Sequence, residues 1–221
     1  MHIFSPSPAS GAPEKGATEK GATEKGVTEK GNERIRSILE EAKNALVDEG
    51  FSGLSFRTIA KRAGVTVGNV TYYFPTKDRL LVVLAGYIFD RWDVRFRREL
   101  PKTLTEKMDI FLYSIRYMIE ENKRVKSSTL LLEMWTMANR STSVMRMLDT
   151  FYARMRSWIE EMLLDINPML SARKRRLRAA LITSQLEGLM ILIGPKRIFH
   201  KELTGLEDEA IRQIQRLATD D

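Results

Sequence analysis

The chain has no cysteine and only two histidines, His2 and His200, among its 221 residues. The first absence removes disulfides, thiolate zinc sites and cysteine nucleophiles. The second leaves no histidine pair at metal-ligand spacing, and no glycine-rich phosphate cradle is present either. Enzymatic chemistry has little to stand on, so no catalytic residue, metal or cofactor is expected. Long hydrophobic runs are missing too. The longest, Leu189 to Ile193, is far below the ~20 residues of a membrane span. Met1 to Gly11 lacks the apolar core of a secretory signal. These absences predict a soluble, cytoplasmic protein without a membrane partner.

What is present is an excess of positive charge. Lysine and arginine total 36 against 29 acidic residues, a net charge of +7, which fits an anionic partner such as nucleic acid. Hydrophobic residues at 43% and charged residues at 29% are ordinary for a globular chain. The length suits one small module plus one larger domain, or a single large domain.

Residues 1–32 read as a disordered, low-complexity tail. A five-residue repeat, Glu14-Lys15-Gly16-Ala17-Thr18 and its two successors, runs to Thr28. Glycine every fifth residue costs a helix about 1 kcal/mol each time, and little apolar surface is available to offset chain entropy. The repeat is charge-balanced and so a poor electrostatic clamp. From Glu33 the pattern is helical: Ile35, Ile38, Leu39, Ala42, Ala45 and Leu46 recur at three and four, with Gly50 as a terminal cap. Further helices are predicted near 56–63, 67–73, 77–98, 104–121, 124–138, 142–165, 171–193 and 203–218. Breaks fall at Pro101, near Arg140, at Asn167-Pro168 and at Gly194-Pro195. No strand-like alternation intervenes, so the fold class is all-α with about nine helices.

The stretch from Ser55 to Phe74 carries the functional signal. Ser55 caps one short helix, Gly64 supplies the positive φ of a tight turn, and Thr66 caps a second. Ala60 is small where the two helices cross, and Val65 and Val70 fill the space between them. This is a helix-turn-helix. The second helix has the wrong surface for a core element: Val67, Gly68, Asn69 and Thr71 offer short, uncharged groups suited to base edges in a major groove. Arg57, Thr66, Tyr72, Tyr73 and Lys77 are placed to hold phosphates. Phe74 reads as a core aromatic.

The segment from Ile35 to Leu84 resembles the DNA-binding domain of the TetR/AcrR family. The matching residues are Ile59-Ala60, Ala63-Gly64-Val65-Thr66, Gly68, Tyr72-Tyr73-Phe74, Pro75-Thr76-Lys77-Asp78 and Leu80-Leu81. Thr71 departs from the pattern, which often has an aromatic residue there. The resemblance implies a helix-turn-helix domain over 33–80 and a ligand-binding and dimerisation domain over 81–221. It further implies a homodimer that binds double-stranded DNA at an inverted repeat and is released by a small molecule. A repressor is expected. An activator, or a ligand-independent DNA-binding protein of the same fold, is the alternative.

For the larger domain, Met108, Met118, Met134, Trp135, Met155 and Trp158 are the candidate lining of a largely apolar effector pocket, though the same residues suit an ordinary core. Glu133, in an apolar run, is expected to be structural or exposed rather than a ligand contact. Leu181, Ser184 and Gly188 on one helix and Leu206, Ala210, Ile214 and Leu217 on the next recur at three and four, and are assigned to a dimer interface. The basic run Arg173 to Arg178 reads as a solvated face neutralised by acids such as Glu207 or Asp208.

Overall fold

A computed structural model describes residues 29–195 and 201–220. Of the tail expected over residues 1–32, residues 1–28 with the repeats lie outside the described residues, as does His200. Among the described residues there are nine α-helices, one 3-10 turn (Lys201–Leu203) and no strand. The helices are α1 (Glu29–Gly53), α2 (Phe56–Arg62), α3 (Val67–Tyr73), α4 (Lys77–Glu99) and α5 (Lys107–Lys123). They continue with α6 (Val125–Ala138), α7 (Thr142–Ile166), α8 (Ala172–Ile193) and α9 (Leu206–Thr219).

Most boundaries follow local chemistry. Ser55, Thr66, Thr76, Ser141 and Ser171 each cap the helix that follows, a side-chain oxygen accepting from a backbone N–H three residues on. Two boundaries differ from expectation. α1 starts at Glu29, so the last four residues assigned to the tail are its first turn. Gly50 (φ 67°, ψ −172°) leaves the helical conformation and ends the main body of α1, as expected, with one short turn following to Gly53. Leu203, expected inside the last helix, falls in the 3-10 turn before Gly205 (φ 87°).

One apolar core runs through the molecule, from Ile38 in α1 to Ala218 in α9. α4 is its spine. Leu80, Leu81, Leu84 and Ala85 lie at the end next to α3, and Phe89 and Phe96 lie along the remainder. The boundary expected at residue 80 therefore falls inside a continuous helix, which links the two parts rigidly. Glu133 of α6 adds a second tie, its Oε2 accepting from the Phe51 N–H at 2.8 Å just past the Gly50 bend. Its role is structural, as expected. No described helix is long and apolar enough to cross a membrane.

α8 is apolar on two sides. Ala179, Ile182, Thr183, Leu186, Leu189 and Met190 face the core. Leu177, Leu181, Ile191 and Leu192 face outward and are exposed, with Ser184 and Gly188 between them. α9, in contrast, is sharply two-faced, and Ala210, Ile211, Ile214 and Ala218 are buried inside the chain. The assignment of Ala210 and Ile214 to a dimer interface is thus corrected. The α9 repeat of three and four marks intrachain packing against the bundle, with Leu206 and Leu217 half-buried at its edge.

The basic run at the start of α8 is largely exposed, as expected, but its partners differ from those expected. α8 and α9 are antiparallel, so Arg178 meets the end of α9 and donates to the carbonyl of Leu217 (2.9 Å) and to that of Asp220. Such a cation satisfies carbonyls that a helix terminus leaves open. Glu207, at the other end of α9, pairs instead with Lys123 at 3.1 Å.

Candidate nucleic-acid interface

α2, the turn and α3 are locked from both sides. Gly64 (φ 64°) allows the Val65 N–H to reach back to the Ala60 carbonyl at 3.0 Å, closing α2 in a Schellman-type cap. Beneath the turn, Ile59, Ala60, Val70 and Phe74 are buried, and Val65 is half-buried. Arg62 pins α2 to α1 through Asp48 (2.5 Å), Glu49 (3.0 Å) and Glu41 (3.5 Å). The unit is therefore a rigid platform rather than a loop.

α3 is presented to solvent on this platform. Thr66, Val67, Gly68 and Asn69 are exposed, and the Tyr72 side chain, 78% exposed, stands out furthest. Nothing crowds Gly68, where an added Cβ would meet only Thr66 Oγ1 at 3.7 Å. Thr66 Oγ1 accepts from the Asn69 N–H (3.2 Å) and from Asn69 Nδ2 (2.9 Å), which fixes the amide on the first turn. Thr71 is half-buried, and its hydroxyl donates to the carbonyls of Val67 and Gly68 at 3.2 and 3.1 Å. Its hydrogen is committed to the helix, leaving a lone pair and the methyl group for other contacts. Tyr73 is half-buried and packs edge-on to Tyr72, ring centroids 5.0 Å apart.

Two exposed cations flank this surface: Arg57 in α2 and Lys77 at the start of α4. Lys77 Nζ sits 4.6 Å from the centre of the Phe51 ring, which Arg140 also approaches at 5.3 Å. The structure thus gathers all nine predicted nucleic-acid contacts onto α2, α3 and the start of α4. Because Thr66 supports both the helix and Asn69, Thr66→Ala should cost about 1 kcal/mol in urea unfolding. Thr66→Ser should restore it, and an unchanged midpoint for the alanine variant would remove the cap from the account.

The second site is a small cavity of about 50 Å³ enclosed by α4 to α8. Met118 and Met155 line it, as expected. Met108, Met134, Trp135 and Trp158 lie outside this lining. Met134 is fully buried within the bundle, Trp158 packs near Phe111, and the exposed Trp135 donates from Nε1 to the Tyr152 hydroxyl at 3.2 Å. The six-residue assignment left out Trp92, and the sequence reading missed Tyr117, Phe151 and Glu187; all four line the cavity. An acid set between Leu186 and Leu189 on a helix with two apolar sides was the available signal for Glu187.

Residues 38–84 match the family model described as bacterial regulatory proteins, tetR family. This segment is a DNA-binding domain of the TetR type. An uncharacterized regulator from the dhlA 5' region of Xanthobacter autotrophicus is 27% identical over 163 residues, covering 72% of this chain and 79% of that protein. The transcriptional repressor KstR of Rhodococcus jostii is 32% identical over 83 residues, 38% of this chain and 39% of its own length. The fold extends further than the identity. A TetR transcription regulator from Haloarcula marismortui superposes with a TM-score of 0.65 at 16% identity, covering 85% of this chain and 97% of that one. A regulator from Saccharomonospora viridis solved with choline gives 0.59 at 17% identity, covering 86% and 95%. The multidrug binding protein EbrR with malachite green gives 0.58 at 20% identity, covering 84% and 98%. The α1 to α4 segment is accordingly a TetR-type helix-turn-helix, and the relatives it matches are named as transcriptional regulators.

Proposed function

We propose that the chain is a ligand-responsive repressor that binds an inverted-repeat operator as a homodimer. The observation that carries this reading is α3 itself, a rigidly mounted helix whose exposed face is short and uncharged while cations stand on its flanks. Val67, Gly68, Asn69 and Thr71 are assigned to base edges, with Asn69 suited to adenine and the methyl groups of Val67 and Thr71 to thymine. Arg57, Thr66, Tyr72, Tyr73 and Lys77 are assigned to phosphates.

Support for the dimer comes from α8. Its outer stripe of Leu177, Leu181, Ser184, Gly188 and Ile191 follows one helix face. An apolar face of this kind calls for a second surface to cover it. Gly188 costs a helix interior about 1 kcal/mol relative to alanine. Among the described residues nothing requires it, since a Cβ there would meet no atom within 4 Å. A second copy packed against α8 gives the missing glycine a use, close helix approach.

The effector would enter the cavity beside α4 in the 81–221 region. Structural neighbours hold small organic molecules, choline in one case and malachite green in another. α4 borders the cavity through Trp92 and the DNA-binding unit through Leu80, Leu81 and Leu84. A small tilt of this helix would change the separation of the two α3 helices. A coupling of about 1–3 kcal/mol would shift operator affinity roughly 5- to 150-fold.

Selection of a random double-stranded DNA library at physiological salt tests the reading. Inverted repeats should be enriched, with half-sites about 34–36 Å apart. No enrichment at any sequence would overturn it. On the selected operator, Asn69→Ala should cost about 1–3 kcal/mol and relax preference at one base pair, whereas Lys77→Ala should weaken all sequences alike and reduce the salt slope by about one.

A further inference from the structure

We infer that Glu187 and the aromatic side chains beside it form a binding site for a small organic cation, either a protonated amine or a quaternary ammonium, and that this is the chemistry of the effector. The inference rests on reading the cavity as the effector site.

The cavity lining is almost wholly apolar, with Trp92, Tyr117, Met118, Phe151 and Met155 prominent. Two carboxylates nevertheless reach it. Glu121 is already neutralised: it pairs with Arg95 and with Arg124 (2.9 Å) and accepts from the Ser127 hydroxyl at 2.5 Å. Glu187 forms no ion pair with any described residue, and its hydrogen-bond partner is Tyr152.

The direction of that bond follows from its neighbour. An indole N–H only donates, so Trp135 Nε1–H occupies the Tyr152 oxygen as an acceptor. The Tyr152 hydroxyl proton is then free to point at Glu187. One donor serves a carboxylate with about four acceptor positions. The remaining negative charge is largely withdrawn from water, with no counterion among the described residues, an arrangement that apolar surroundings penalise. Burial accordingly pushes the Glu187 carboxyl up to about 7, against the lowering pull of the Tyr152 hydrogen bond. The same burial, with the Glu187 charge nearby, pushes the Tyr152 hydroxyl well above its ordinary range.

A cation in the cavity would supply what is missing. It would meet Glu187 as counterion and the rings of Trp92, Tyr117 and Phe151 as π faces. Nothing else there competes. Among the lining residues, α5 contributes the ionisable Tyr117 and the already paired Glu121, and α4, α6 and α7 contribute no charged group. α9 has no residue in the lining. An anion would face two acids, and a neutral ligand would leave Glu187 as it is. Trp92 stands on α4, so a cation held against it touches the helix that carries the link to DNA.

Calorimetric titration of the full chain tests this with choline, its uncharged carbon isostere 3,3-dimethylbutan-1-ol, and benzylamine, at pH 6 and pH 8. At pH 8 at least one cation should bind roughly tenfold or more tighter than the isostere. Tighter choline identifies the quaternary class, and tighter benzylamine the protonated amine. Choline keeps its charge at both pH values, so its affinity should fall about tenfold at pH 6 as Glu187 takes up a proton. Glu187→Gln should abolish the preference for cations. Trp92→Leu should weaken cation binding while leaving the pH dependence. Equal binding of cation and isostere, no cation binding, or an unchanged preference in Glu187→Gln overturns the site. Operator affinity, measured on the same samples, keeps the two readings apart. Cation binding that leaves operator affinity unchanged supports the site and overturns its identity as the effector site. Intact operator binding without cation binding overturns the inference while the regulator reading stands.

Discussion

Leu181→Glu combined with Ile191→Glu should convert the protein from dimer to monomer and lower operator affinity by a factor of about 10²–10⁴. Both side chains are exposed in the single chain, at 58% and 65%, so the substitutions disturb no intrachain packing. Helicity by circular dichroism should be unchanged. In the proposed dimer, however, a twofold axis brings α8 against its own copy, so four carboxylates enter one seam, each facing the partner's apolar stripe or another introduced charge. Buried like charges cannot be tolerated in an apolar seam, so the interface should open. The loss on DNA then follows from multivalency: once one half-site is gripped, the second binds at a high effective concentration, and a monomer forfeits that gain. Sedimentation and operator titration read the two effects separately. A double variant that still sediments as a dimer would place the interface elsewhere and leave the α8 stripe without an occupant. A monomeric variant with undiminished operator affinity would show that one subunit suffices.

The sequence made some of this legible and hid the rest for identifiable reasons. Caps and breakers act locally, so Ser55, Thr66, Thr76, Gly64 and Pro75 gave nearly correct borders for α2, α3 and the start of α4. The α3 surface was legible for the same reason, since seven residues between two markers present few alternatives. The α9 stripe was not. Apolar residues at three and four say that one face is covered, but not whether the cover is the same chain or a second one. Ala210 and Ile214 turned out to be covered internally, and the exposed stripe on α8 was the one left over. The cavity was least legible. Its walls come from five helices spread between Trp92 and Glu187, and a composition rich in Met and Trp picks out large apolar residues without saying which of them border empty space. Met134 is such a case, fully buried yet outside the lining. A buried acid is the better marker in principle, but Glu133 and Glu187 sit in similarly apolar stretches. Only the folded chain shows that Glu133 caps a backbone N–H while Glu187 lies at the cavity.

Replacing Glu187 by glutamine should stabilise the unliganded protein at pH 8 by about 3 kcal/mol and leave it unchanged near pH 4. The carboxyl titrates at about 7 in the folded chain, raised from an ordinary value of 4.5. Between these values the folded state holds a proton that the unfolded state has released. By linkage, stability therefore falls as pH rises through this window. Below it both states are protonated, and the group imposes no penalty. Above it the folded state carries a buried charge, and a shift of this size corresponds to about 3 kcal/mol at 1.36 kcal/mol per pKa unit. Glutamine keeps the shape and can still accept from Tyr152, but it cannot ionise. Other titrating groups are common to both proteins and cancel in the comparison. For a chain of this length about 2–4 °C per kcal/mol is expected, so the melting temperatures should diverge by about 6–12 °C at pH 8 and converge in acid. A difference that stays constant across pH would mean that Glu187 is not the strained group, and that the substitution acts through packing alone. A saturating organic cation should close the gap at pH 8 by stabilising the native chain and not the variant. The instability would then be the state that the effector relieves, giving the cavity's one unpaired carboxylate a reason to be buried.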